Sequence, residues 1–140
     1  MGKLGIAPAS IDGVFISHAH LDHTGGIPEF LTVNQKAKFY VPPSFFGPKN
    51  REVISILKAS KIHENIFSTG ELDGIEQSLG VITNKGIVVI DGCSHPYIGH
   101  ILDAARQFGR IYGIIGGFHG FSEFELFKNL KLICGVDPIS

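Results

Sequence analysis

Read for its apolar and polar positions, the chain alternates short β-type runs with segments of helical spacing. Residues 11–17, IDGVFIS, are β-branched and aromatic and predict a buried strand. IPEFL follows, with Pro28 near the start of a short helix. AKFYVPP (37–43) predicts a second strand stopped by its prolines. REVISILKA (51–59) has apolar residues at 53, 54 and 57, a helical spacing. Residues 60–78 read as loop-rich, with Gly70 and Gly74 as punctuation. LGVIT and GIVVID flank NKG, the pattern of a hairpin.

Past GCSHP, Pro96 opens the helix YIGHILDAARQF, in which Ile98, Ile101, Leu102 and Ala105 form one apolar face. RIYGIIGGFHG predicts a strand ending in a glycine-flanked histidine. FSEFELFKNL reads as a helix with Ser122 and Glu125 placed as a capping box, and KLICGV as a last short strand. Strands alternating with helices predict the α/β class. The 140 residues read as a single domain, 1–140, without repeat or linker.

Charge removes some classes of function. Net charge is −1 and no basic run occurs, so attraction to nucleic acid or an anionic membrane is not built in. No apolar stretch reaches 18 residues and the start lacks a signal-peptide core, which predicts no membrane span. Cys93 and Cys134 make no close pair, and a cytoplasmic setting is expected.

The chemistry concentrates in FISHAHLDHTGG (15–26), which packs His18, His20, Asp22 and His23 into six positions. Residues two apart on an extended segment point to one side, so His18 and His20 can converge on one ion. Asp22 and His23 lie one turn further, placed for a second ion. Imidazole with carboxylate suits zinc, iron or manganese rather than calcium or magnesium. His95 and His119 also follow β-type runs, and α/β proteins gather chemistry at strand ends. Cys93 and Asp91 stand near His95, each read either as a ligand or as a partner orienting an imidazole. His63, in a polar stretch, and His100, inside the predicted helix, read as surface or packing residues.

SHAHLDHTGG resembles the HxHxDH signature of the metallo-β-lactamase superfamily. VVIDGCSHP and IIGGFH are similar to its branch of metal-dependent hydrolases related to 7,8-dihydropterin-6-methyl-4-(β-D-ribofuranosyl)aminobenzene-5′-phosphate synthase. The resemblance implies a four-layer αββα sandwich with a dinuclear site at one edge. It implies two divalent ions, zinc in the first place, with manganese or iron as alternatives. His18 and His20 would belong to the first ion, Asp22 and His23 to the second, with Asp22 also in proton transfer. His95 would join the first ion, and His119 stands where a bridging aspartate is usual.

The branch's late histidine motif is absent from LICGVDPIS, and only 17 residues precede the signature. The sandwich is therefore expected to be incomplete at its N-terminal side, completed by self-association or by a missing N-terminal half. The function expected is hydrolysis of an ester or phosphodiester in a small molecule, a phosphorylated pterin-like compound or another small substrate. The alternatives are a non-catalytic or truncated metal-binding fragment and a di-iron redox module.

Overall fold

The computed structural model describes residues 2–120 and 122–135. Two sheets carry it. A three-stranded parallel sheet is formed by β1 (Gly13–Phe15), β2 (Lys38–Val41) and β3 (Val53–Ser55). A six-stranded sheet runs in order through β4 (Ser60–His63), β5 (Ile66–Ser68), β6 (Leu79–Thr83), β7 (Gly86–Ile90), β8 (Ile111–Gly116) and β9 (Leu132–Gly135). β4 to β7 pair antiparallel, and β7, β8 and β9 are parallel. The expected α/β class holds.

Between β1 and β2 lie two short helices, α1 (Leu21–Thr24) and α2 (Ile27–Val33); α3 (Ile98–Arg106) crosses from β7 to β8. Each sheet builds a core with its own helix. Phe39, Val41 and Ile16 pack with Ile27, Phe30 and Leu31 of α2. Ile87, Val89 and Ile114 pack with Ile98, Ile101, Leu102 and Ala105, the predicted apolar face of α3. Phe67 is fully buried in this core, stacked on Phe108 and seated over Gly80, where any Cβ would strike its ring.

The predicted hairpin forms with Thr83 opposite Gly86, a two-residue loop between them, and Gly86 at φ +126°, a conformation that favours glycine. β1 ends short of its prediction for a chemical reason. Ile16 N–H still donates to Tyr40 O (3.0 Å), but the next parallel-ladder donor would be Pro42, which has no N–H.

Three expectations fail. Residues 51–59 hold a strand, not a helix: Ile56 is buried and Leu57 is 62% exposed, the reverse of the helical reading. Val53, Ile54 and Ile56 are β-branched, and β2 offers them a parallel ladder. Residues 60–78 contain β4 and β5, strands too short and too polar for a period to show. Residues 122–130, the described part of the predicted helix, form only a 3₁₀ turn, Phe124–Phe127, with Glu123 at its N-cap and no capping box. The chain rejoins β8 at once, Lys131 N–H donating to Tyr112 O (2.8 Å), which leaves no room for a longer helix. Phe121 and Val136, the outer residues of two predicted elements, lie outside the described residues. Among the described residues no helix is long and apolar enough to cross a membrane.

Candidate metal centre

Three strand ends deliver the histidines. His18 and His20 follow β1, with His20 as N-cap of α1; His95 follows β7; His119 follows β8. The one-turn helix α1 turns the backbone so that His23 comes back beside His18, helped by Thr24, whose hydroxyl donates to His20 O (3.0 Å). The loop after β7 carries Ser94 at φ +58°, a strained position that directs Cys93 and His95 to the same side. Ser94 Oγ donates to Gly117 O (2.6 Å) and also meets the Asp91 carboxylate, which holds the strained turn. Gly92 lets this loop approach closely, since a Cβ there would meet Glu76 and Ser17.

The rings converge. Ring centroids of His18 lie 4.6 Å from His20, 4.2 Å from His23 and 4.8 Å from His95, and His20 lies 4.8 Å from His95. His18 Nε2 and His20 Nδ1 are 3.0 Å apart, and His23 Nε2 is 3.1 Å from Cys93 Sγ. Two overlapping donor trios result: His18, His20 and His95, and His18, His23 and Cys93. Asp22 is exposed at the rim, 3.4 Å from His23 Nε2, and belongs to neither trio. His119 stacks on His95 at 6.0 Å and lines a cavity of about 330 Å³ with His95, Tyr97 and Glu123, but is likewise in neither trio. His63 on β4 and His100 on α3 are exposed and apart from the cluster, His100 bonded to Asp73 (3.1 Å).

The donor chemistry fits a metal ion. Burial pushes His18 down to about 4, opposed by the nearby Glu76 carboxylate, so its ring is neutral and offers a lone pair at neutral pH. Burial, then the carboxylates of Glu76, Asp22 and Asp91, push the Cys93 thiol up to about 11. A metal-bound thiol is deprotonated outright, so Cys93 would exchange its proton for the ion.

The sequence reading missed the floor of the site. Glu76 is fully buried and accepts N–H bonds from Cys93 (2.9 Å) and His95 (3.1 Å). Beside it Gln77 and Ser78 are also fully buried. The available signal was EQS, three polar residues directly before the strand LGVIT, inside a stretch read as loop.

Asp91, left open above, has both oxygens engaged: Ser78 Oγ donates to Oδ1 (2.6 Å) and Ser94 meets Oδ2. Burial, with Glu76 adding repulsion, pushes its carboxyl up to about 6 against the hydrogen bonds from Ser78 and Ser94. The folded state thus prefers the protonated form. Stability is fullest below the ordinary carboxylate value and falls as pH rises to about 6. A shift of this size corresponds to about 3 kcal/mol. Asp91→Asn keeps an acceptor for Ser78 and gains a donor for Ser94. In urea titrations of metal-free protein the variant should exceed wild type by about 2–3 kcal/mol at pH 8, with the gap closing towards pH 4. A pH-independent gap would contradict the assignment.

Comparison with known proteins bears on the family and the fold. The family model described as the metallo-beta-lactamase superfamily matches residues 1–120. The chain is 27% identical over 175 residues to the 7,8-dihydropterin-6-methyl-4-(beta-D-ribofuranosyl)-aminobenzene-5'-phosphate synthase of Methanocaldococcus jannaschii, covering 85% of this chain and 60% of that protein. A solved metal-dependent hydrolase of the beta-lactamase superfamily superposes with a TM-score of 0.66 at 30% identity, over 91% of this chain and 64% of the other. An N-acyl homoserine lactone hydrolase, solved with N-hexanoyl-L-homoserine at its catalytic metal centre, shares the fold at 15% identity and a TM-score of 0.54, over 97% and 60% of the two chains. The chain thus spans somewhat under two thirds of these relatives' length. On its sequence and its fold alike, this chain belongs to the metallo-β-lactamase superfamily.

Proposed function

We propose that the chain is a metal-dependent hydrolase that uses a dinuclear centre to cleave an ester or phosphodiester in a small molecule. The observation that carries this reading is the pair of donor trios meeting at His18. His18, His20 and His95 would hold one ion, and His23 and Cys93, with Asp22 beside them, a second. Bound divalent ions supply Lewis acidity towards a phosphoryl or carbonyl oxygen and make a nucleophile available at neutral pH. Zinc suits the imidazole and thiol donors, and manganese or iron would share the imidazoles.

The chain's own groups supply the rest. Asp22, at the exposed rim, is placed to accept a proton and release it to solvent. The cavity beside His95 and His119 is at the small end for a ligand pocket, which favours a compact substrate. Within it the Tyr97 hydroxyl donates to Glu123 (2.7 Å), fixing one polar wall. The Methanocaldococcus jannaschii relative is named for a phosphorylated dihydropterin compound, which makes a phosphorylated small molecule the first class to screen.

The test is hydrolysis of bis(p-nitrophenyl) phosphate by zinc-loaded protein: turnover that chelation abolishes supports the reading, and none by a fully loaded, folded chain overturns it. Asp22→Ala should keep roughly one ion per chain while turnover falls by about a hundredfold or more, the scale of a lost acid–base group. Metal quantification beside kinetics checks this, and equal loss of both ions would show Asp22 misassigned.

A further inference from the structure

We infer that Glu76 is a positioning residue that fixes which nitrogen of His18 faces an ion, and so which side chains share that ion. The inference rests on the metal reading above. His18 falls in both trios, yet its two nitrogens have different neighbours. Nε2 lies 3.0 Å from His20 Nδ1, while Nδ1 lies 3.0 Å from Ser17 Oγ and 3.5 Å from Glu76 Oε1. A neutral imidazole has one N–H and one lone pair.

Ser17 cannot choose between them, because a hydroxyl both donates and accepts. Glu76 can. Its two oxygens already accept the backbone N–H groups of Cys93 and His95, the bonding of an acceptor-only carboxylate. Among the described residues no lysine or arginine pairs with it, and His18 is the one ring within ion-pair distance. The N–H of His18 is therefore held on Nδ1, towards Ser17 and Glu76, and the Nε2 lone pair is left facing His20.

The consequence is an assignment. His18 completes the trio with His20 and His95. The other ion keeps His23 and Cys93 and must take its next donor from elsewhere, Asp22 being nearest to His23. The same carboxylate grips the loop bearing Cys93 and His95, so one buried side chain orders three of the ligand-bearing positions. Partners of this kind typically contribute 10–100-fold to metal affinity.

The test uses the full chain labelled with ¹⁵N-histidine, read by long-range ¹H–¹⁵N correlation, with zinc affinity from chelator competition. His18 should be protonated on Nδ1 in metal-free protein and bound through Nε2 in zinc-loaded protein. Glu76→Gln should weaken the tighter zinc by roughly 10–100-fold and convert His18 to a tautomer mixture, whereas Ser17→Ala should leave the tautomer unchanged. Should Glu76→Gln fail to fold, Glu76→Asp keeps the charge and must keep the Nδ1–H tautomer with weaker zinc. His18 protonated on Nε2 in the metal-free wild type, or unaltered tautomer and affinity in Glu76→Gln, would overturn the inference. A wild-type chain that takes up no zinc would instead defeat the hydrolase reading, while the metal-free spectrum still decides the role of Glu76.

Discussion

Replacing His20 by alanine should leave a folded protein that holds at most one zinc and has lost turnover by a thousandfold or more. His20 is exposed, so its removal opens no cavity and the metal-free melt should stay within about 0.5 kcal/mol of wild type. What it removes is Nδ1, facing His18 Nε2 across 3.0 Å, from a trio with no spare donor. Lewis-acid stabilisation by a metal is worth several kcal/mol, and each 1.36 kcal/mol is tenfold in rate. Metal quantification and kcat/KM on the two proteins decide the matter. Wild-type zinc content with wild-type turnover would show that the His18–His20 pair is not the seat of the chemistry.

Gln77→Ala should be the most damaging change to stability away from the apolar cores, costing about 3–5 kcal/mol. Gln77 is fully buried between the sheets. Its Nε2 donates to Ile16 O (2.9 Å) and Tyr40 O (3.2 Å), its Oε1 accepts from Ser68 Oγ (2.6 Å), and its backbone N–H donates to Ser17 O (2.9 Å). Ile16 O is the carbonyl that Pro42 cannot satisfy, so the side chain stands in for a missing ladder donor. Alanine would leave Ile16 O and the Ser68 hydroxyl buried without these partners, each costing about 1–3 kcal/mol. Urea unfolding of metal-free protein measures the loss, and a change under about 1 kcal/mol would mean that water or a shifted side chain replaces the amide.

The site was more legible than the fold around it, for reasons visible in particular residues. HxHxDH is a local spacing, and the geometry that gathers His18, His20 and His23 is set within one turn and one strand end. His95 could be attached because β7 is a five-residue apolar run with an unambiguous end. Strand β3 was misread because VISIL satisfies both periods, and only β2 alongside it decides between them. The strands β4 and β5 do not show because they are only four and three residues long and β4 is mostly polar. Glu76 and Gln77 lay beyond reach for a different reason. A buried polar residue is recognised by its partners, and theirs sit on Cys93, His95, Ile16 and Tyr40, far away in the chain.

That distance also bears on the order in which the molecule assembles. His23 and Cys93 are 70 residues apart, His23 on the helix after β1 and Cys93 in the loop after β7, a strand of the other sheet. The β6–β7 hairpin, with its two-residue loop, can close within microseconds. Parallel pairs and sheet-to-sheet contacts must wait for large loops to close, which is what slows folding in topologies rich in distant contacts. The donors therefore gather only once both sheets are in place. Ions captured there would arrive after the rate-limiting step, so they would lengthen the lifetime of the folded chain while leaving its rate of folding almost untouched.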